Sequence, residues 1–277
     1  MKFKNLFYTV LIVFLSSCTS YYQIYKATPC DNIVIKENAL VYENDDCRVT
    51  YNLWGKGGNM GFNFYNKTEH YIYLRLDESF FVLNGIANNY FKNRVFTNSS
   101  SSSTPVSIIT EQSQSESGDY YSDLVKSNKT TIKIKGQVAS SGYSVSYKEK
   151  NVICIPPHTT KIISEYNINM TIYRDCDLFL HPTKSQIKTL SFLKDNSPFV
   201  FSNLIVYSIG QTGTPNKIKN EFYVNEITNY PEREVVKSKP MEFCGQKGDK
   251  TIKYFKNISP DKFYLDYSAE SGVTMKH

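Results

Sequence analysis

Short segments in which apolar and polar residues alternate constrain the fold of this chain most strongly. Val49, Tyr51 and Leu53 alternate with polar neighbours, and a second alternation starts at Phe62 after a glycine-rich turn, which predicts a β-hairpin. Because successive side chains of a strand point to opposite faces, a period of two predicts half-buried β-strands. About a dozen such segments, with almost no helical periodicity between them, predict an all-β fold: an antiparallel β-sandwich with a few short helical turns.

Turn signals suggest how the later strands pair. The strand-like segments 199–209 and 219–228 flank a loop rich in Gly and Thr, which predicts a hairpin. The segments 252–255 and 263–267 surround a proline-containing turn and predict a last hairpin in the same way.

The N-terminus has the composition of an export signal. Two lysines precede an apolar run of ten residues, 6–15, and Ser16 and Ser17 stand before Cys18. A membrane-spanning helix needs about 20 apolar residues, so the pattern predicts a cleaved signal peptide over 1–17 instead. The ending resembles the lipobox of bacterial lipoproteins, which implies that Cys18 is the lipid attachment site. The alternative is an ordinary secreted protein that is cleaved nearby.

The rest of the chain is expected to form a tether followed by folded structure. Residues 18–38 show no clean period and are interpreted as a lipidated tether. Residues 39–277 form the β-sandwich region, as one elaborated domain or two smaller ones. Residues 97–118 are rich in Ser, Gln and Glu and are interpreted as a long Ser-rich surface loop, because they cannot bury enough apolar surface to offset their ordering entropy.

Four stretches carry a resemblance to known domains. Gly61–Thr68, Ile72–Leu74 and Ser79–Gly85 are similar to the paired strands of immunoglobulin-like domains in exported bacterial proteins, and Val152–Thr160 is similar to their strand and proline corner. With the leader, the whole chain resembles lipoproteins of Bacteroidota-type bacteria, a family without an established activity. The resemblance implies an immunoglobulin-like sandwich and an envelope location, and it implies nothing about catalysis.

The cysteines allow disulfides but do not assign them. Export makes disulfides chemically feasible. With Cys18 acylated, five cysteines remain, so at most two bridges form. Cys30, close to the expected tether, is taken as the one left over. The candidate disulfide partners are then Cys47, Cys154, Cys176 and Cys244.

A metal site is the less favoured interpretation of the same region. Four zinc ligands could use the spacing of Cys154, His158, Cys176 and His181. Zinc ligand pairs usually lie on tight turns, whereas Cys154 lies in an apolar strand, so a disulfide or buried thiol is preferred. Asp175 and Asp177 could share a strand face, but two carboxylates are too few to specify a calcium site. No metal and no cofactor is therefore expected.

Tyrosines are the candidate binding feature. Tyr71 and Tyr73 share one strand face, and Tyr143 and Tyr147 share another. A tyrosine side chain offers a rigid apolar face with a polar tip, which suits contacts to sugars or proteins. Ordinary packing is the alternative interpretation for each of them.

Charge and motifs narrow the expected function. The net charge of +6 is spread without a long run of like charges, so no nucleic-acid partner is expected. No Gly-x-Ser-x-Gly nucleophile elbow is present, and no catalytic residue is assigned. The expected function is a lipid-anchored envelope protein that binds or scaffolds an envelope protein or a glycan without catalysis; the alternative is an envelope hydrolase acting on glycan or peptide. Residues 19–22 lack the acidic residues that some surface-exported lipoproteins carry, so the resemblance implies the outer membrane, facing the periplasm.

Overall fold

The computed structural model describes residues 20–30, 32–103 and 140–269, and within them the side chains of all residues except 98–103 and 140–145. The described chain contains one short helix, α1 (Glu232–Val235), and two 3-10 turns, Lys184–Gln186 and Lys194–Asn196. Its strands are β1 (Ser20–Pro29), β2 (Ile33–Lys36), β3 (Ala39–Glu43), β4 (Cys47–Tyr51), β5 (Phe62–Asn66), β6 (Ile72–Arg75), β7 (Phe80–Leu83), β8 (Ile86–Asn89), β9 (Val95–Ser103), β10 (Ser140–Lys148), β11 (Val152–Ile155), β12 (Thr160–Ile163), β13 (Thr189–Ser191), β14 (Val200–Ile209), β15 (Asn216–Pro231), β16 (Val236–Phe243), β17 (Gln246–Phe255) and β18 (Lys262–Ser268).

Two antiparallel sheets form the sandwich. The larger sheet has nine strands; its main path runs β11-β6-β14-β15-β1-β18, β13 pairs with β15, and β7 pairs with β14 and β8. The smaller sheet has five strands in the order β12-β5-β4-β3-β2. The prediction of an all-β, antiparallel sandwich is confirmed.

Aromatic side chains pack between the two sheets. Tyr51 of β4 contacts Phe222 of β15 with ring centroids 5.4 Å apart, and Phe64 of β5 contacts Tyr207 of β14 at 5.5 Å. The Tyr51 hydroxyl donates a 2.8 Å bond to Asn220 Oδ1, so the buried phenol keeps a partner. Burying a phenylalanine ring contributes about 1.5–3 kcal/mol, and these contacts hold the two layers together.

The N-terminal segment is part of the larger sheet. Residues 20–29 form β1 between β15 and β18, so the prediction of a tether over 18–38 is wrong for this segment. Gln23, Tyr25 and Ala27 point into the core and are 0%, 0% and 2% exposed. The period of two is hidden in the sequence because a polar and a small residue occupy two of these three inward positions.

The predicted pairing of strands that are adjacent in the sequence is confirmed for two hairpins and wrong for a third. β4 pairs with β5 and β14 pairs with β15, as predicted. The last predicted hairpin does not form, because β17 pairs with β16 while β18 pairs with β1. Strands adjacent in sequence are frequent but not obligatory partners, and here the first and last described strands lie side by side.

The chain forms two compact units. The first comprises the described residues of 20–92 and 150–269 and contains both sheets. The second comprises residues 93–149, and its described part is the antiparallel ribbon of β9 and β10. Residues 97–103 of the predicted Ser-rich loop therefore lie in β9, and residues 104–118 lie outside the described residues. Ladder hydrogen bonds need no apolar side chain, so the serine run carries no strand signal.

A second ribbon, β16 paired with β17, follows α1 and is called the arm. Every side chain from Lys237 to Tyr254 is exposed, so neither face of the arm packs on the described sheets. Its turn is Cys244-Gly245, whose φ values of 50° and 80° are those of a two-residue type I′ hairpin turn.

Candidate functional site

The predicted lipid attachment site precedes the described fold. Cys18 lies outside the described residues, and β1 begins at Ser20. Ser20 pairs with Ser268, and Tyr21 pairs with Pro231, the residue before α1. The start of β1 therefore lies at the same end of the larger sheet as α1.

Four aromatic rings meet where the arm leaves the sheet. Phe255, the last residue of β17, lies edge-on to Tyr22 at 5.3 Å and to Trp54 at 4.9 Å between ring centroids. Its centroid is 4.6 Å from that of Tyr264. Tyr22, Trp54, Phe255 and Tyr264 are called the aromatic cluster, and all four are partly exposed. Contacts of this length and tilt stabilise an aromatic group beyond its burial alone.

A glycine loop holds Trp54 in place. The loop joins β4 to β5, and its Gly57 N–H donates to the Tyr264 carbonyl at 2.8 Å while the Tyr264 N–H donates to Gly55 at 3.1 Å. Gly58 has a φ of 76°, and a Cβ there would lie 2.9 Å from the Phe263 ring. The close approach between loop and sheet therefore requires glycine at position 58.

A shallow hollow of about 100 Å³ lies beside the aromatic cluster. Small-molecule sites usually measure about 300–1,000 Å³, so this hollow accommodates the edge of a ligand rather than a whole one. Three of its lining residues, Glu234, Asn257 and Lys262, have polar side chains, and the others are apolar or aromatic. The lining residues are Ile24, Trp54, Tyr230, Glu234, Val235, Phe255, Asn257 and Lys262.

Two ion pairs flank the aromatic cluster. Burial raises the pKa of the Tyr22 hydroxyl, and the negative charges of Glu232 and Asp266 raise it further, so the phenol stays protonated at neutral pH. Lys253 Nζ lies 2.6 Å from Glu232, and Lys56 Nζ lies 2.7 Å from Asp266. The cluster therefore presents apolar ring faces and a neutral hydroxyl.

The predicted tyrosine face is distributed over both units. Tyr71, next to β6, is 52% exposed, and Tyr73 on β6 is partly exposed; both belong to the first unit. Tyr147 is 53% exposed and stacks on Phe96 with centroids 5.3 Å apart in the second unit. The side chain of Tyr143 lies outside the described residues. A binding face made of all four tyrosines stays a prediction.

The four candidate disulfide partners occupy different environments. Cys47 on β4 is fully buried, and its burial raises the pKa of the thiol to about 12, which keeps it protonated and unreactive. Cys154 is exposed on β11, the edge strand of the larger sheet, and Cys176 and Cys244 are exposed in loops. All four are free thiols in the structure, and a bridge between any two stays a prediction.

The histidines of the disfavoured zinc arrangement make other contacts. His158 lies in an exposed turn with a φ of 55°, and its Nε2 is 3.0 Å from Glu69. The His181 ring packs against Tyr21 and Tyr267, with centroids 4.9 Å and 6.0 Å away. In the described part of the chain, no three His, Cys, Asp or Glu side chains converge as metal ligands.

The carboxylates considered for calcium binding, and Asp77 on another surface turn, make local contacts. Asp175 Oδ1 accepts the N–H of Asp177 at 2.8 Å, and the Asp177 carboxylate pairs with Lys188 at 3.2 Å. Asp77 Oδ2 accepts a 2.9 Å bond from the Asn151 amide. These bonds order surface turns.

No protein-family model, curated protein or solved structure matches this chain. The resemblance to Bacteroidota-type lipoproteins therefore stays a prediction from the sequence. Across residues 20–269, as far as they are described, no helix has the length and apolar character to cross a membrane.

Sequence reasoning missed both the aromatic cluster and the arm. Trp54 is the one tryptophan of the chain and stands beside a glycine-rich segment, and this position is the only local signal for the aromatic cluster. In the arm, Met241 and Phe243 stand beside a Cys-Gly turn signal and among lysines. Apolar residues beside a predicted hairpin turn, where polar residues are usual, are the signal that could have identified the arm.

Proposed function

We propose that this protein is a lipid-anchored protein of the bacterial cell envelope that acts as a non-catalytic binding module. Acylated Cys18 is the anchor, in the outer membrane and facing the periplasm, and the aromatic cluster with its hollow is the contact surface. The observation that carries the binding role is a set of four packed, partly exposed aromatic rings, two of which, Trp54 and Phe255, line a hollow.

The chemistry of this surface suits a glycan or a protein loop. The partly exposed rings of Trp54 and Tyr22 offer apolar faces to a sugar ring or an apolar side chain. Glu234 and Asn257 can accept and donate hydrogen bonds to hydroxyl or peptide groups at the rim. Glycoside hydrolysis uses two positioned carboxylates, whereas the hollow contains one, which supports binding over hydrolysis.

Replacing the anchor cysteine tests the location. Cys18→Ala should abolish incorporation of a labelled fatty acid and should move the protein from the membrane fraction to the soluble fraction, because about 0.8 kcal/mol per buried methylene is lost. Cys244→Ala, which changes an exposed cysteine of the arm, is the matched control and should keep the label. Retention of the label in Cys18→Ala would refute the anchor.

Crosslinking tests the contact surface. A photoreactive amino acid at position 54 should capture a reproducible envelope protein or glycan in intact cells. The same group at Leu193, which is 74% exposed elsewhere on the first unit, is the control and should capture little. Equal capture from both positions would contradict the proposed surface, and reproducible hydrolysis of envelope glycan or peptide by the purified protein would contradict the non-catalytic role.

A further inference from the structure

The arm exposes apolar side chains that nothing in the described chain covers. Phe243 next to the turn is 80% exposed, more than any other large apolar side chain that the structure describes. Met241, Ile252 and Tyr254 are 50%, 40% and 39% exposed. A two-stranded ribbon is marginally stable alone, so exposed apolar groups on both of its strands indicate that another phase or molecule covers it.

The arm also carries a net positive charge. It contains five lysines and two acidic residues, which gives a net charge of +3, half of the +6 of the whole chain. Lys239 Nζ lies 5.3 Å from the centroid of the Tyr254 ring, so a cation and an apolar surface share one face. The charged residues are Lys237, Lys239, Lys247, Lys250, Lys253, Glu242 and Asp249; of these, Lys253 pairs with Glu232 at the base of the arm.

The charge argues against pairing with another copy of the same arm. Two arms brought together would each carry +3 and repel. The lysines and Pro240 also blunt the free edges of the ribbon, because charged side chains and proline hinder the addition of a further strand. An anionic surface is the complementary occupant.

The arm begins beside the predicted anchor. Phe255 at its base contacts Tyr22, with centroids 5.3 Å apart, and Tyr22 is four residues from Cys18, a span of at most about 14 Å. The arm itself, with strands of eight and ten residues, is about 26 Å long. A bilayer that holds an acyl chain at Cys18 is therefore within reach of the arm.

We propose that the arm is a membrane-contact element that binds anionic phospholipid. Phe243 and Met241 enter the interfacial layer of the bilayer, and the lysines contact lipid phosphates. This proposal rests on the proposed anchored function, because the anchor supplies the bilayer beside the arm.

Vesicle sedimentation of the lipid-free chain separates the arm from the anchor. The chain from residue 19 onward retains every described element and carries no acylation site. It should sediment with phosphatidylcholine vesicles that contain about one-third phosphatidylglycerol, and weakly with phosphatidylcholine alone. Each lysine near an anionic surface is worth about a five-fold change in affinity, so Lys239→Glu with Lys250→Glu should weaken binding at least about twenty-fold.

Two further variants complete the test. Phe243→Ser should weaken vesicle binding about ten-fold through loss of interfacial burial. Lys161→Glu with Lys217→Glu, a matched charge reversal on exposed positions of β12 and β15, should change binding less than about two-fold if the arm is the site. Unchanged circular dichroism verifies that each variant is folded.

The outcomes distinguish the two proposals. Equal binding to neutral and anionic vesicles, or equal loss in the arm and control variants, overturns the arm proposal even where Cys18 carries a fatty acid. A concentration-dependent dimer in sedimentation equilibrium that Phe243→Ser abolishes, with no vesicle binding, also overturns it. Anionic vesicle binding by the arm with no fatty acid on Cys18 supports the arm and overturns the anchor.

Discussion

At the residue scale, Gln23 shows how a polar side chain enters the core. Its Nε2 donates to Asn229 Oδ1 at 2.8 Å and to the Tyr173 carbonyl at 2.9 Å. Its Oε1 accepts the Tyr173 N–H at 2.6 Å and the Tyr25 hydroxyl. Every polar atom of this amide is thus engaged, and the network joins β1, β15 and the segment that follows β12.

Replacing Gln23 with leucine should destabilise the fold strongly. Gln23→Leu leaves the Asn229 Oδ1 acceptor and the Tyr25 hydroxyl donor without their buried partner, and each orphaned group costs about 1–3 kcal/mol, so we expect a loss of about 3 kcal/mol. Urea unfolding measures it. Gln211→Leu in the exposed β14–β15 loop is the control and should stay within about 0.5 kcal/mol of wild type. A loss below about 1 kcal/mol in Gln23→Leu would contradict the network.

At the scale of elements, the glycine loop between β4 and β5 positions Trp54. Gly58 and Gly85 have similar φ values, 76° and 83°. A Cβ at Gly58 would meet Ile168 at 2.8 Å and the Phe263 ring, whereas nothing lies within 4 Å of a Cβ at Gly85. The two positions thus separate backbone strain from steric overlap.

Alanine substitutions at these two glycines should therefore differ. Gly85→Ala is expected to destabilise by about 1–2 kcal/mol, the usual cost of a left-handed residue. Gly58→Ala should add about 1–3 kcal/mol for overlap with the core and should alter Trp54 fluorescence because the loop must move. Chemical denaturation with fluorescence detection compares them. Equal destabilisation by the two substitutions would show that Gly58 is not in close steric contact with the sheet.

Sequence patterns predict those elements whose inward residues are apolar. β4 and β5 place Val49, Tyr51 and Phe64 inward, and their alternation is plain. The sequence pattern does not predict β1 because its inward residue Gln23 is polar. Burial of the Gln23 side chain is favourable only through partners that are distant in the sequence. The sequence does not predict the aromatic cluster for a related reason. Its four rings come from β1, a loop, β17 and β18, and no local pattern brings such distant segments together.

At the scale of the whole molecule, the second unit is inserted at one point of the first. The Phe91 N–H donates to the Leu76 carbonyl at 3.2 Å, and the Leu76 N–H donates to the Asn151 carbonyl at 2.7 Å. Both flanks of the insertion thus converge on Leu76. A short connection can join them without disturbing either sheet.

Deletion of the inserted unit tests this architecture. Replacing residues 93–149 with a short Gly-Ser linker should leave the first unit folded, with Tm within about 4 °C of wild type, because none of the described side chains of the insertion belongs to the sandwich core. Scanning calorimetry measures it. Loss of the cooperative transition would mean that the sandwich depends on the insertion.

The position of β1 between β15 and β18 also determines when the larger sheet can be completed. Ser20 pairs with Ser268, so the first described strand gains one of its two partners only after residue 268 has been made. Such long-range pairing is slow, and a strand edge that stays unpaired favours aggregation. Under the anchored function proposed above, Cys18 would be available for acylation before the larger sheet closes. The protein would then complete its folding with one end already held at the bilayer.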